Sequence, residues 1–157
     1  MDGLSFLGGN MFSLKDKLTF ININQDYLKY LHEQCPEVYY KPINYDNKPY
    51  LGILITNDGQ EYVVPISSAK KKHKKMIPVK EGLYTRVDLV HSDTDSEEIR
   101  NYKNLMNKEF AFCLKLIRIL IKKANKIYEK QMSTGKVVKY CCDFKLLEEK
   151  CRAYEIK

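Results

Sequence analysis

The stretch Tyr50–Met76, YLGILITNDGQEYVVPISSAKKKHKKM, decides how the chain is read. Tyr50–Thr56 is a continuous apolar run of strand length, and Asn57-Asp58-Gly59 carries the turn chemistry of a hairpin. Tyr62–Ile66 is then the returning strand, so the two runs are expected to pair antiparallel. The second strand delivers two adjacent hydroxyls, Ser67 and Ser68, to a run, Lys70–Lys75, made of five lysines and His73. Lys48 stands just ahead of the first strand, near the level at which the second is expected to release its serines. Strand ends are rigid mounts for side chains, and a lysine run this dense faces water or a polyanion. A solvated basic loop is the plain reading of such a run. The paired hydroxyls beside it point instead to a phosphodiester site.

The whole chain is consistent with a polyanionic partner. Its 157 residues suit one domain and carry a formal net charge of +7. The excess is concentrated in the lysine run, which favours nucleic acid over an anionic membrane surface. No apolar run approaches the roughly 18 to 20 residues that cross a bilayer, and the opening MDGLSFL lacks a basic n-region. A soluble, cytoplasmic protein without a membrane partner is expected. The cysteines, Cys35, Cys113, Cys141, Cys142 and Cys151, are odd in number and show no CxxC spacing, which suits reduced thiols. His32, His73 and His91 are scattered, and HExxH, P-loop, GxGxxG and nucleophile-elbow patterns are missing. The expected chemistry needs no metal and no cofactor.

Residues 1–16 are expected to be a loosely held extension, with 17–157 as the single domain. Leu18–Ile23 is rich in β-branched and aromatic residues and predicts a strand. Asn24 with Asp26 starts a helix whose Tyr27, Leu28, Tyr30 and Leu31 recur at helical spacing until Cys35 and Pro36. Tyr39, Tyr40, Lys41 and Tyr45 follow in a polar loop whose rings and cation suit base stacking. Met76–Val79 and Leu83–Leu89 predict further strands, broken at Glu81-Gly82. Asp95 with Glu98 reads as a capping-box start. From Ile99 through Tyr102, Met106, Phe110, Cys113, Ile117, Leu120 and Ala124 to Ile127, apolar residues recur every three or four positions. That is one long helix, or two with a kink near Asn107, with Arg118, Lys122 and Lys123 on its solvated face. Val137–Cys141 predicts a short strand, and Asp143 caps a last helix carrying Phe144, Leu146, Leu147, Cys151 and Tyr154.

Several of these segments resemble one family when taken in register. They are Phe20-x-x-Ile23-x-x-x-Tyr27-x-x-Tyr30-Leu31, Lys48-x-Tyr50-x-Gly52-Ile53 and Tyr62-x-x-Pro65-Ile66-Ser67-Ser68-x-Lys70-x-x-His73. The series continues with Met76-Ile77-Pro78-Val79, Tyr102-Lys103-x-Leu105-Met106-x-Lys108-x-Phe110-x-Phe112 and Cys142-x-Phe144-x-Leu146-Leu147-Glu148-Glu149-Lys150. It resembles the type III toxin–antitoxin ribonucleases of the ToxN/AbiQ kind. The resemblance implies an α+β fold, a compact, highly twisted antiparallel β core of the MazF/Kid-like barrel kind surrounded by helices. It implies metal-independent endoribonuclease cleavage, generally at adenine-rich sites of cellular and phage mRNA, leaving a 2′,3′-cyclic phosphate and a 5′-hydroxyl. The implied inhibitor is an RNA antitoxin, a repeated pseudoknot that the toxin cuts from its precursor and that closes a cyclic protein–RNA assembly. The implied setting is phage defence by abortive infection.

By position, Tyr27, Lys48, Ser67, Ser68 and Lys70 match the family's active-site residues. Lys71, Lys72, Lys74 and Lys75, with Tyr50 and Lys41, are the expected RNA contacts. The chain also departs from the pattern: Ala69 stands where longer members have proline, Met76 follows Lys75 directly where they have a further loop and strand, and Glu109 replaces a common glutamine.

The residue chemistry stands beside that likeness. Cleavage through the 2′-hydroxyl needs a base at that oxygen, charge stabilisation at the phosphorane and an acid for the leaving 5′-oxygen. Lys48 and Lys70 supply charge, Ser67 and Ser68 suit phosphate oxygens, and Tyr27 suits orienting the nucleotide. None is a good base at neutral pH, since tyrosine and lysine titrate near about 10. Either a lysine is depressed by its cationic neighbours, or alignment of the 2′-oxygen supplies most of the rate. His73 is the one residue of the run that titrates in the useful range, a candidate for proton transfer. A non-catalytic RNA-binding module using the same lysines, with Ser67 and Ser68 only capping a turn, is the alternative.

Overall fold

The computed structural model describes residues 12–15, 19–40, 50–65, 72–87 and 89–156. The hairpin is present as β3 (Tyr50–Ile55) and β4 (Glu61–Pro65), closed through the turn bond from Gly59 N to Thr56 O at 3.0 Å. Tyr50 pairs with Pro65 and Leu51 with Val64, but the register shifts before Leu54 meets Tyr62. The shift falls at Gly52, whose φ of +60° is open to glycine and strained for other residues. On the other edge of β3, β1 (Ser13–Leu14) pairs with Leu54 and Ile55, and β2 (Phe20–Ile23) pairs with Tyr50 and Leu51. Two short strands thus share one edge of β3, one on each side of the bulge.

With β5 (Ile77–Val79) and β6 (Tyr84–Arg86) the antiparallel sheet runs β5-β4-β3-β2-β6. Its outer strands are consecutive in sequence, joined by a turn in which Leu83 N donates to Lys80 O at 3.1 Å. Such a turn with one residue on each side spans about 15 Å, whereas the outer strands of a flat five-strand path lie about 19 Å apart. The sheet must curl to bring them together. That is the twisted core expected of the chain.

Helices pack around this core. In α1 (Gln25–Gln34) the Asn24 side chain accepts from Tyr27 N at 3.0 Å, and Tyr27, Leu28 and Leu31 form the buried face. α3 (Phe144–Ala153) is capped by Asp143, which accepts from Leu146 N at 3.2 Å, and it buries Phe144, Leu147 and Cys151. Between them the ring of Tyr62 meets Phe12, Tyr128 and Phe144 edge-on, at 5.4, 5.6 and 5.9 Å. Glu148 Oε2 accepts from Tyr62 OH at 2.7 Å and from Tyr128 OH at 2.5 Å, tying β4, α3 and the long helix α2 (Glu97–Thr134) together.

The structure corrects several sequence expectations. The start of the chain is not loosely held as far as residue 16. Phe12 is buried, its N–H donates to Asn125 Oδ1 at 2.6 Å, and Ser13–Leu14 belongs to the sheet. α2 is one uninterrupted helix, and its cap is Ser96, which accepts from Ile99 N at 3.2 Å. Asp95 instead accepts from Ser92 N and from Lys103 Nζ, both at 2.9 Å. The apolar stripe of α2 is core only in part. Met106, Phe110 and Ile117 pack on Phe20 and Leu51 beside the small sheet, while Ile99 and Tyr102 remain exposed. Residues 137–141 form no strand. The backbone turns there, with Tyr140 at φ +64°, and Cys142 N then donates to Lys74 O at 2.9 Å.

Candidate nucleic-acid interface

The register of the hairpin sets the site. Because Tyr50 and Pro65 are partners, the chain enters β3 and leaves β4 at the same end of the sheet. β5 begins at that end too, with Ile77 opposite Val63. Immediately before it, Lys72–Lys75 form one turn of 3-10 helix. Lys41, Lys48, Ser67, Ser68, Lys70 and Lys71 lie outside the described residues. In sequence, Lys48 stands two positions before Tyr50 and Ser67 two positions after Pro65.

The basic turn is tethered on two sides. Lys75 Nζ lies 2.7 Å from Glu37 Oε2, with the two side chains 34% and 38% exposed. Lys74 O accepts from Cys142 N at 2.9 Å, and Lys74 Nζ lies 3.5 Å from Lys139 O. His73 and both lysines are half-buried, and Met76 behind them is fully buried. Over 72–75 the lysine run is an anchored turn, not the solvated loop that is the plain reading of such a run.

Two tyrosines expected at the RNA are inside the protein. Tyr27 is fully buried, donates its hydroxyl to Pro78 O at 2.5 Å and meets Tyr154 edge-on at 5.1 Å. Burial, and next the neighbouring Cys151, push its phenol far above the usual range. From there it is tied to β5 through Pro78. Tyr50 is 3% exposed, with its ring inside the protein. Its buried hydroxyl has no hydrogen-bond partner among the described residues, and burial pushes that phenol up as well. Both placements have one cause: large rings at the start of a helix and of a central strand fill the core of a small sheet.

The cysteines Cys35, Cys141, Cys142 and Cys151 are free and buried. A hydrogen bond from the Cys142 thiol lowers Cys35 to about 6, while burial pushes Cys141 up to about 11. Among the described residues no three His, Cys, Asp or Glu side chains gather to hold a metal ion. None of their helices is long and apolar enough to cross a membrane. Sequence reading missed Glu37 altogether, since nothing local marks a lone carboxylate after Pro36 as the partner of a lysine in the basic turn.

A sequence model described as toxin ToxN of type III toxin–antitoxin systems matches residues 19–77 and 72–152. The chain belongs to the ToxN toxin family. Its two matched segments meet at the basic turn, where Met76 follows Lys75 directly. Within the family, the chain is 27% identical to the endoribonuclease ToxN of Bacillus thuringiensis subsp. kurstaki over 90% of its own length and 86% of that protein. It is 25% identical to the endoribonuclease AbiQ of Lactococcus lactis subsp. lactis, over 92% and 93% of the two chains. One solved structure matches with a TM-score of 0.74 at 26% identity, covering 90% of this chain and all of that one. It belongs to work on selective inhibition of type III toxins by a non-coding RNA pseudoknot. The structure of AbiQ, a lactococcal anti-phage endoribonuclease, matches with a TM-score of 0.65 at 22% identity, over 90% of this chain and 99% of AbiQ, which shows the shared fold.

Proposed function

We propose that this chain is the endoribonuclease toxin of a type III toxin–antitoxin system. It cuts RNA without a metal, by attack of the 2′-oxygen on the adjacent phosphorus. The reading is supported by the pairing of Tyr50 with Pro65 in a chain of the ToxN family, since in sequence Lys48 stands two positions before the one and Ser67 two positions after the other. The basic turn Lys72–Lys75 leads into β5 at the end of the sheet where Tyr50 and Pro65 pair.

In the proposed mechanism the 2′-hydroxyl loses its proton as its oxygen bonds to phosphorus, and the bond from phosphorus to the 5′-oxygen breaks. The products are a 2′,3′-cyclic phosphate and a 5′-hydroxyl. Lys48 and Lys70 stabilise the charge that builds on the phosphorane, and Ser67 and Ser68 hydrogen-bond its oxygens. His73, on the anchored turn, is the candidate to move a proton. Tyr27 serves as a positioning residue through Pro78. Lys71, Lys72, Lys74, Lys75 and Lys41 track the RNA backbone, so binding weakens as salt rises. The partners are a repeated RNA pseudoknot, which the toxin processes and which closes a ring with it, and cellular and phage mRNA in the cytoplasm. The outcome is abortive infection.

The test is cleavage by the purified chain, freed of bound oligonucleotide, of adenine-containing transcripts in the presence of a chelator. Cyclic-phosphate ends are expected, and Ser68→Ala should abolish them while RNA binding is retained. Transcripts that bind and stay whole would identify a non-catalytic RNA-binding module instead.

A further inference from the structure

We infer that Glu37 is a counter-ion built into the RNA site, holding Lys75 in the RNA-free protein and releasing it to an RNA phosphate. The inference rests on the reading of the basic turn as an RNA contact.

The two side chains are presented by fixed backbone. Glu37 lies in the turn after α1, where Val38 N donates to Cys35 O at 3.0 Å and Val38 is buried. Lys75 is followed directly by the buried Met76. The ion pair at 2.7 Å therefore joins two anchored points, and about a third of each side chain remains open to solvent. Lys74, at the preceding position, points toward Lys139 O and adds a second cation to the cluster. A carboxylate there relieves repulsion among these ammonium groups while the RNA is away.

An ion pair this exposed is weak, so Lys75 can exchange Glu37 for another anion at little cost. A phosphate oxygen offers Lys75 the same charge and the same hydrogen bond as Glu37 Oε2. The consequence runs against a simple count of lysines. At rest Lys75 is already neutralised, and a phosphate that reaches it must displace Glu37 or meet a pair with no net charge. Glu37 thereby lowers the affinity of the site and its dependence on salt, a device suited to a nuclease that must let its products go.

The experiment measures binding of an adenine-containing oligonucleotide, uniformly 2′-fluoro so that it cannot be cut, to RNA-stripped protein across a series of salt concentrations. Glu37→Gln is expected to bind about five-fold more tightly at low salt. Its plot of log affinity against log salt should steepen by about 0.7, one phosphate's share on a single strand. Lys75→Ala should weaken binding, and in that background the gain from Glu37→Gln should shrink, the difference measuring the coupling of the pair. Unchanged or weakened binding by Glu37→Gln would overturn the inference, the weaker result meaning that Glu37 steers Lys75 toward the RNA. If wild-type protein cleaves RNA and Glu37→Gln still has no effect, only the counter-ion role fails. If wild-type protein neither binds nor cleaves, the nuclease reading fails with it.

Discussion

Glu148 and Glu37 are the same residue in opposite settings. Glu148 is 14% exposed and accepts hydrogen bonds from two tyrosines on two other elements, with Arg152 Nη1 at 3.9 Å from its second oxygen. Glu37 is 38% exposed and meets a single lysine at the rim. The first carboxylate holds two tyrosine hydroxyls and cannot let them go without stranding buried donors. The second still competes with solvent and can trade its partner. The difference is one of place in this fold: Glu148 clamps β4, α2 and α3, and Glu37 lies at the rim beside the basic turn.

Removing Glu148 should have the largest effect. Glu148→Ala leaves Tyr62 OH and Tyr128 OH unpaired in the core, at about 1 to 3 kcal/mol for each stranded group. A loss of about 2 to 6 kcal/mol is therefore expected, read as a lower urea midpoint with little change in slope. Glu148→Gln should fall between, because its amide oxygen can still accept from both tyrosines while the charge that strengthens those bonds and faces Arg152 is gone. If Glu148→Ala unfolds at the wild-type midpoint, the clamp across β4, α2 and α3 does not exist in solution.

Tyr27 tests which side of the comparison the active-site match belongs on. Placed in the core, Tyr27→Phe should lose about 1 kcal/mol of stability with the bond to Pro78 O. It should keep RNA cleavage within a few-fold of wild type. Ser68→Ala should do the reverse, keeping the midpoint and losing cleavage. A Tyr27→Phe protein of normal stability that no longer cleaves RNA would return Tyr27 to the reacting atoms.

How far the sequence reveals this division depends on the range of the interaction. Apolar runs of strand length and turn chemistry marked the β3–β4 hairpin, and Asn24 and Asp143 marked two helix starts, because each signal is complete within a few residues. The start of α2 was missed by one residue because Asp95 and Ser96 both suit a cap, and Lys103 decides between them by taking Asp95. Periodicity gave the length of α2 but not how much of it is covered, since that depends on the reach of the sheet. Phe112 and Ile119 stay exposed on the same helix that buries Ala124. At the site, the lysine run was legible as charge, whereas its tether to Glu37 joins residues 38 positions apart. The burial of Tyr27 and Tyr50 was equally hidden, because a tyrosine that stacks on a base and one that fills a core have the same local sequence.

Glu61 lies between the two extremes and provides the smallest effect. Its side chain is 14% exposed, accepts from Tyr84 OH at 2.8 Å and meets Lys15 Nζ at 3.3 Å. Burial, and then the hydrogen bond to Glu61, push Tyr84 up to about 12. A phenol whose folded value lies above the unfolded value, about 10, adds stability that is fully present below pH 10. That stability is lost as pH rises through 12. Tyr84→Phe should therefore be slightly less stable than wild type at neutral pH, and the gap should close as the solution is made strongly alkaline. The absorbance of ionised phenol near 295 nm would follow the same group, with Tyr84→Phe removing one late-titrating tyrosine. A gap that stays constant from pH 8 to 12 would place Tyr84 with the exchangeable contacts of the surface, not with the fastened ones.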